Sequence, residues 1–369
     1  MTPDRPLRVV VAPDSFKGTA AAPEVAAALA RGWRRARPSD VVVEVPMADG
    51  GEGTLGAVLA SEGASLRTET VELPGRGRHR ARWGMVGDRA VVELAECCGL
   101  PLVGTADPGG ADTEALGRVL AAALDAGAEE LTLAVGGSAS TDGGSGALRA
   151  LGARVLDVVG QEVARGGLGL ASAVRVDLAG LRPPPTRGVT ILCDVTAPLV
   201  GPTGAARVFG PQKGANPEQV EALDRALSRW DCLLGGDAEA PGAGAAGGTA
   251  YGFATVWGAT LRPGAAAVAD LVGLDRAMAG ADVVVTGEGR WDEQSLTGKV
   301  TGHVLQRAAS AGIRGLVVAG DLAAPLPEGV GGWSLVEAAG GSHAAARADA
   351  PRWLERVGEH AARGLTRKS

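Results

Sequence analysis

Aromatic side chains are scarce in this chain, at 3% of residues, and basic charge is not in excess, since the formal net charge is -6. Non-specific nucleic-acid binders need stacking platforms and phosphate-neutralising surfaces, so both deficits argue against nucleic acid as the ligand. The arginines between Arg76 and Arg82 are read instead as a solvated strand edge. Long hydrophobic runs are also missing. Nothing approaches a membrane span, and Val9 to Ala12 is too short for a signal-peptide core. Four cysteines, with Cys97 and Cys98 adjacent and Cys193 and Cys232 isolated, make neither a zinc spacing nor a disulfide framework. They are expected to be small buried residues in a reducing cytoplasm. His79, His303, His343 and His360 have no metal-binding spacing.

Glycine, by contrast, is abundant, with 58 residues in a chain of 369 that is 46% hydrophobic. That length and apolar content allow a large core and suggest two domains. The glycines follow apolar runs instead of recurring at a fixed period. Five such runs share one grammar of short strand, glycine with polar residues, then helix: Val9–Pro13, Val41–Pro46, Asp282–Val285, Leu316–Ala319 and Ser334–Glu337. This alternation predicts parallel βαβ units packed on both faces, an α/β fold. Val25, Leu29 and Trp33 at spacing four, with Pro23 in a first turn, mark the helix after the first strand.

Two of the five units precede residue 60 and three follow residue 280. The simplest architecture is a flavodoxin-like, doubly wound parallel sheet of order 2-1-3-4-5, made of residues 1–73 and 266–369, interrupted by an inserted α/β domain at 74–265. Ligands of such sheets bind outside the carboxyl ends of the strands at the topological switch. That rule places Asp14, Ser15 and Lys17 opposite Gly287, Glu288, Gly289, Arg290 and Asp292, with the active site expected between the domains. The insert has strand-like runs at Ala90–Leu94, Leu131–Val135, Arg154–Val159 and Val189–Cys193. Its best-marked helix starts at Pro217, with Asn216 and Gln219 as a reciprocal capping pair.

Several familiar signatures fail. GAGAAG at 242–247 has dinucleotide spacing but no preceding strand, and Lys299 follows Thr297 and Gly298 without the first glycine of a P-loop. What remains is a set of glycine and acid loops at strand ends. DGGEGT at 49–54 offers Gly50, Gly51 and Gly53 N–H groups, the Thr54 hydroxyl, and Asp49 and Glu52 as carboxylates able to hold Mg²⁺. GGSASTDGGSG at 136–146 offers further N–H groups, Ser138 and Asp142. In the stretch 189–214, Asp194 follows an apolar strand, while Arg207 and Lys213 return positive charge through a glycine-rich connection. A proton acceptor beside fixed cations is what phosphoryl transfer to a hydroxyl requires.

APDSFKG at 12–18, PMADGGEGT at 46–54, GGSASTDGGSG at 136–146, CDVTAPLVGPTGAARVFGPQKGA at 193–215, PGAGAAGG at 241–248 and TGEGRWDEQSLTGK at 286–299 together resemble the bacterial-type glycerate kinases, which are unrelated to P-loop kinases. The resemblance runs through nearly the whole chain. It implies ATP-dependent phosphorylation of D-glycerate, with the 2-hydroxyl as the expected acceptor and 2-phospho-D-glycerate as product. Asp194 is then the expected base, with Lys17, Arg207, Lys213, Arg290 and Lys299 as the pool of cations and Asp49 or Glu288 as the Mg²⁺ ligand. The chain departs from the family's usual pattern at Gly18, Ala21, Thr141, Ala197 and Thr297. Alternatives are phosphorylation at the 3-position, a kinase of another short hydroxy acid, and a sugar-acid sensor without turnover. The protein is expected to be a cytoplasmic monomer or homodimer.

Overall fold

The structure, a computed structural model, describes residues 5–105, 107–296 and 298–365, so Thr297 lies outside the described residues. The chain forms two compact units. One comprises Met1–Asp49, Gly56–Glu62 and Ala265–Ser369, the other Gly50–Leu55 and Gly63–Gly264. The boundary expected at residue 73 therefore shifts. Strand Ala64–Leu73 pairs along its length with Gly77–Val86 and so belongs to the second unit's sheet.

The first unit holds a five-stranded parallel sheet in the order Gly331–Ser334, Arg314–Leu322, Val283–Trp291, Arg8–Val11, Val41–Glu44. Counted along the unit, that order is 2-1-3-4-5. Val9, Val11, Val283, Val285, Leu316 and Val318 face the helices Ala22–Ala36 and Ala350–Gly364, while Val317 and Ala319 pack with Trp291 and Leu305. Successive residues of a strand point to opposite faces, so a run such as LVVA buries both. In the first helix Val25, Leu29 and Trp33 are buried, and the Trp33 indole N–H donates to Asp40 at 2.9 Å. Ala21 cannot cap this helix by a side chain, but the Glu24 carboxylate accepts its N–H at 3.0 Å. The final helix lies close beside the first, because a β-carbon on Gly32 would stand 1.9 Å from the Glu355 carbonyl oxygen.

Two of the expected strands differ. TGEGR at 286–290, read as a loop, continues the strand Val283–Trp291, since its residues keep parallel register with Val317–Asp321. Gly287 and Gly320 permit this: their β-carbons would fall 1.9 Å from the Val318 carbonyl oxygen and 2.3 Å from that of Gly289. The segment Ser334–Glu337 is not a strand. The fifth strand is Gly331–Ser334, where the Ser334 hydroxyl accepts the Glu337 N–H and starts the helix Leu335–Ala338.

The second unit carries a six-stranded mixed sheet, ordered Thr260–Arg262, Val189–Leu192, Glu130–Ala134, Arg89–Glu93, Gly77–Val86, Ala64–Leu73. The first four are parallel; the last two form an antiparallel extension. The run Arg154–Val159 is a strand only to Leu156, which pairs with Arg175–Asp177, and Val158 and Val159 are exposed. Helix Pro217–Leu234 starts as its sequence indicates: Asn216 accepts the Gln219 N–H at 2.8 Å and Gln219 returns the contact at 3.0 Å. Cys97 and Cys98 are buried, whereas Cys232 is exposed, contrary to expectation. Among the described residues no helix is long and apolar enough to cross a membrane.

The close approach at Gly287 makes Gly287→Ala destabilising by about 1–3 kcal/mol, the usual cost of overpacking a core. Gly289→Ala is the matched control, since its β-carbon would meet only ordinary contacts, the nearest at 3.6 Å. Urea denaturation of both variants checks this; equal midpoints would show that the strands separate freely.

Candidate functional site

In the first unit the carboxyl ends of the parallel strands open into a cavity of about 460 Å³. The loop after the first strand enters it with Asp14, Ser15 and Lys17, and the third strand contributes Glu288, Gly289 and Arg290, followed by Asp292 and Lys299. The loop is fixed by backbone pairing. Asp14 donates its N–H to the Gly287 carbonyl at 2.8 Å, and Phe16 and Ala20 exchange hydrogen bonds at 2.9 and 3.0 Å around a turn that places Gly18 at φ 72°. That left-handed position explains glycine there, since a side chain would be strained.

The cavity's charges act on one another. Asp14 is pushed up to about 7, first by burial and then by the Asp49 carboxylate, against the Ser15 N–H that donates to it at 2.6 Å and the Lys17 ammonium. Burial also raises Glu288, opposed by the Ser295 hydroxyl and by the Lys299 ammonium, 3.7 Å away. Lys299 stands 3.5 Å from Asp292 as well. Desolvation opposes ionisation of Asp292, yet the Gln294 N–H and Lys299 outweigh it and hold that carboxyl below its usual range. Among the described residues, Glu288 Oε1 is buried without a hydrogen-bond partner. Among the described residues no three His, Cys, Asp or Glu side chains group to enclose a metal ion. The donor set fits Mg²⁺ held by one or two carboxylates and completed by phosphate oxygens, the ion's usual habit.

The second unit gathers its glycine loops at the same end of its own parallel strands. Asp194, exposed and two residues beyond strand Val189–Leu192, accepts the Gly264 N–H at 2.9 Å. Gly50, at φ 83°, leaves no room for a side chain, because a β-carbon would lie 2.7 Å from Leu192 Cβ and 2.8 Å from Gly264 Cα. Gly136 likewise allows the 136–146 loop to approach, its β-carbon position being 2.6 Å from Gly51 Cα. Gly247, within the GAGAAG stretch, packs on the Ser140 carbonyl and accepts the Gly143 N–H at 2.9 Å.

Several expected site residues are used internally instead. The N–H groups of Gly53 and Leu55 are taken by Glu93 at 3.0 and 2.9 Å, and the buried Thr54 hydroxyl donates to the Gly51 carbonyl. Gly53 and Thr54 thus present no phosphate cradle. Asp142 is wholly buried and accepts from the Thr113 N–H and hydroxyl and from the N–H groups of Gly144 and Gly146. It staples its own loop. Burial, then Asp112, raises its pKa in spite of those donors. Ser138 shares its hydroxyl with Ser140. Lys213, 3% exposed, donates to the Ser140 carbonyl, and burial lowers its pKa to about 8. Arg207 lies 3.5 Å from Glu221 and 3.6 Å from Asp224 on the neighbouring helix. Lys213 is committed to its own unit's backbone, whereas Arg207 stays exposed and ion-paired on the surface.

The first cavity is also lined by Phe16, Asp321, His343 and Arg347, none of which the sequence assigned to a site. Asp321 stands opposite Arg290 in the strand register, a relation invisible before the third and fourth strands are aligned. Glu93 was more accessible. It ends the apolar run Ala90–Val92 just as Asp194 follows Ile191 and Leu192.

The sequence matches the Glycerate kinase family over residues 9–366. The chain belongs to this family. It is 40% identical over 304 residues to a glycerate 2-kinase of Escherichia coli K12, covering 80% of each chain. It is 38% identical over 327 residues to a glycerate kinase of Bacillus subtilis 168, covering 86% of this chain and 85% of the relative. A crystal structure from Salmonella typhimurium LT2 that carries a provisional glycerate kinase 2 name superposes with a TM-score of 0.85 at 36% identity, covering 98% of each chain. Family members are kinases that transfer phosphate to an alcohol group of glycerate, which implies ATP as donor.

The position of Asp14 sets a pH dependence. An ordinary aspartate loses its proton near 3.8 and Asp14 in the fold near 7, so between those values the folded chain holds a proton that the unfolded chain has released. Its contribution to stability is therefore greatest at low pH and declines until about pH 7. Asp14→Asn has no such slope. In metal-free buffer the melting temperature of the variant, relative to the native protein, should rise from pH 5 to pH 8; a constant difference would mean that Asp14 is ionised throughout.

Proposed function

We propose that this protein transfers the γ-phosphoryl group of ATP to the 2-hydroxyl of D-glycerate, yielding 2-phospho-D-glycerate and ADP. The observation that carries the chemistry is Asp194, an exposed carboxylate held at a strand end by the Gly264 N–H, with its loop backbone packed by glycine. The acceptor hydroxyl gives its proton to Asp194 as its oxygen bonds to the γ-phosphorus, and the bond to the β-phosphate oxygen breaks to release ADP. The 2-position is supported by the name of the Escherichia coli relative.

Lys17, Arg290 and Lys299 supply fixed positive charge in the first unit, whose strand order and two covered faces support a flavodoxin-like reading. Ser15 and Gly289 line the same cavity and offer polar contacts to a phosphate or carboxylate. Asp49 and Glu288 would hold Mg²⁺, which neutralises charge on the phosphates when bound. A cytoplasmic location belongs to the same proposal.

Phosphorus NMR of the product tests the position directly. A 2-phosphate couples to one carbon-bound proton and gives a doublet; a triplet would assign the 3-hydroxyl. Asp194→Asn preserves size and polarity but cannot take the proton, so kcat should fall by about 10² to 10⁴ with little change in glycerate affinity. Calorimetry alongside turnover separates loss of chemistry from loss of binding, and native turnover in the variant would remove Asp194 from the mechanism.

A further inference from the structure

A carboxylate occupies the start of the short helix Thr54–Leu59. Glu93 is 3% exposed, and its two oxygens each accept one backbone N–H, from Gly53 at 3.0 Å and from Leu55 at 2.9 Å. Glu93 lies nearly forty residues further along the chain, so this is a tertiary clamp on the glycine loop. The loop in turn touches what holds Asp194. Gly50 packs against Leu192 and against Gly264, the residue whose N–H Asp194 accepts, and Gly51 packs against Gly136 of the second glycine loop.

We propose that Glu93 is a positioning residue for the reaction, fixing through the 50–55 loop the backbone that orients Asp194. The inference rests on the reading of Asp194 as proton acceptor. Its physical basis is that Gly50 and Gly136 leave no side chain to cushion a shift. A displacement of the loop passes directly to Leu192, Gly264 and the 136–146 backbone, and misplacing a reacting group by about 1 Å costs as much as 10²-fold in rate.

Only the ionised carboxylate presents two good acceptors, since a protonated carboxyl carries hydrogen on one oxygen. Burial pushes Glu93 up to about 7, opposed by the Leu55 and Gly53 N–H groups and reinforced by Glu96 and Glu52. The other groups near it are Arg82, whose charge it supports, and Cys97, whose thiol donates to the Glu93 carbonyl at 3.5 Å. The clamp is therefore about half closed near pH 7, tightens above that pH and loosens below it.

Glu93→Gln gives one N–H an acceptor and turns an NH₂ group toward the other. At pH 8 its kcat should fall by roughly 10- to 100-fold, while the KM values for ATP and glycerate change by less than about threefold, the pattern of an interaction that matters mainly in the transition state. Native kcat is expected to rise with pH around pH 7, and that rise should flatten in the variant. Glu93→Asp keeps the charge but is one methylene too short to reach both N–H groups, and it should lose kcat with a native-like melting temperature. Native kcat in either variant, while Asp194→Asn is inactive, overturns the role of Glu93 alone. A parallel loss of kcat and melting temperature with an unchanged pH profile reduces Glu93 to a helix cap and also overturns it. Native turnover of Asp194→Asn defeats the underlying reading instead.

Discussion

Backbone approaching backbone, with no side chain between, is the constraint on which both units depend. In the first unit the third and fourth strands stay paired past Val285 because Gly287 and Gly320 each face a neighbouring carbonyl where no β-carbon fits. In the second, Gly50 and Gly136 bring the two glycine loops and the end of strand Val189–Leu192 into direct contact. A packed interior cannot deform gradually, so such contacts hold strand-end residues in one arrangement. The high glycine content is thus spent largely on close packing and turns, and less on open anion cradles.

Burial then sorts the charged residues that the sequence presents as equals. Asp142 and Lys213 are enclosed and satisfied by their own unit; Arg207 is paired with acids on the next helix. Asp14 and Glu288 are drawn into a cavity that also holds Lys17, Arg290 and Lys299. Desolvation and repulsion from neighbouring carboxylates raise Asp14 and Glu288, and the Lys17 and Lys299 ammonium groups offset part of the rise. A site of mixed charge at the ends of parallel strands is suited to binding a phosphate with its metal ion.

The alternation of β-branched runs with amphipathic helices was enough to determine an α/β chain, and it indicated the strand order 2-1-3-4-5. The capping pair Asn216 and Gln219 likewise acts locally and was legible. The polar strand Ala64–Leu73 was not, because both faces of its first half meet solvent and only Val71 and Leu73, near its end, reach the apolar core. Motif order established the resemblance to glycerate kinases, since six glycine and acid segments in sequence are hard to reproduce by chance.

What only the tertiary structure decided is which polar groups remain available. A glycine followed by a helix reads the same whether its N–H groups face solvent or a distant carboxylate, and Glu93 lies too far along the chain from Gly53 for any local pattern to reveal the contact. The same holds for Lys213 and Ser140, and for Arg290 and Asp321. Composition and periodicity are set by neighbours within a few residues, whereas burial and hydrogen-bond satisfaction depend on segments that meet only when the sheets close.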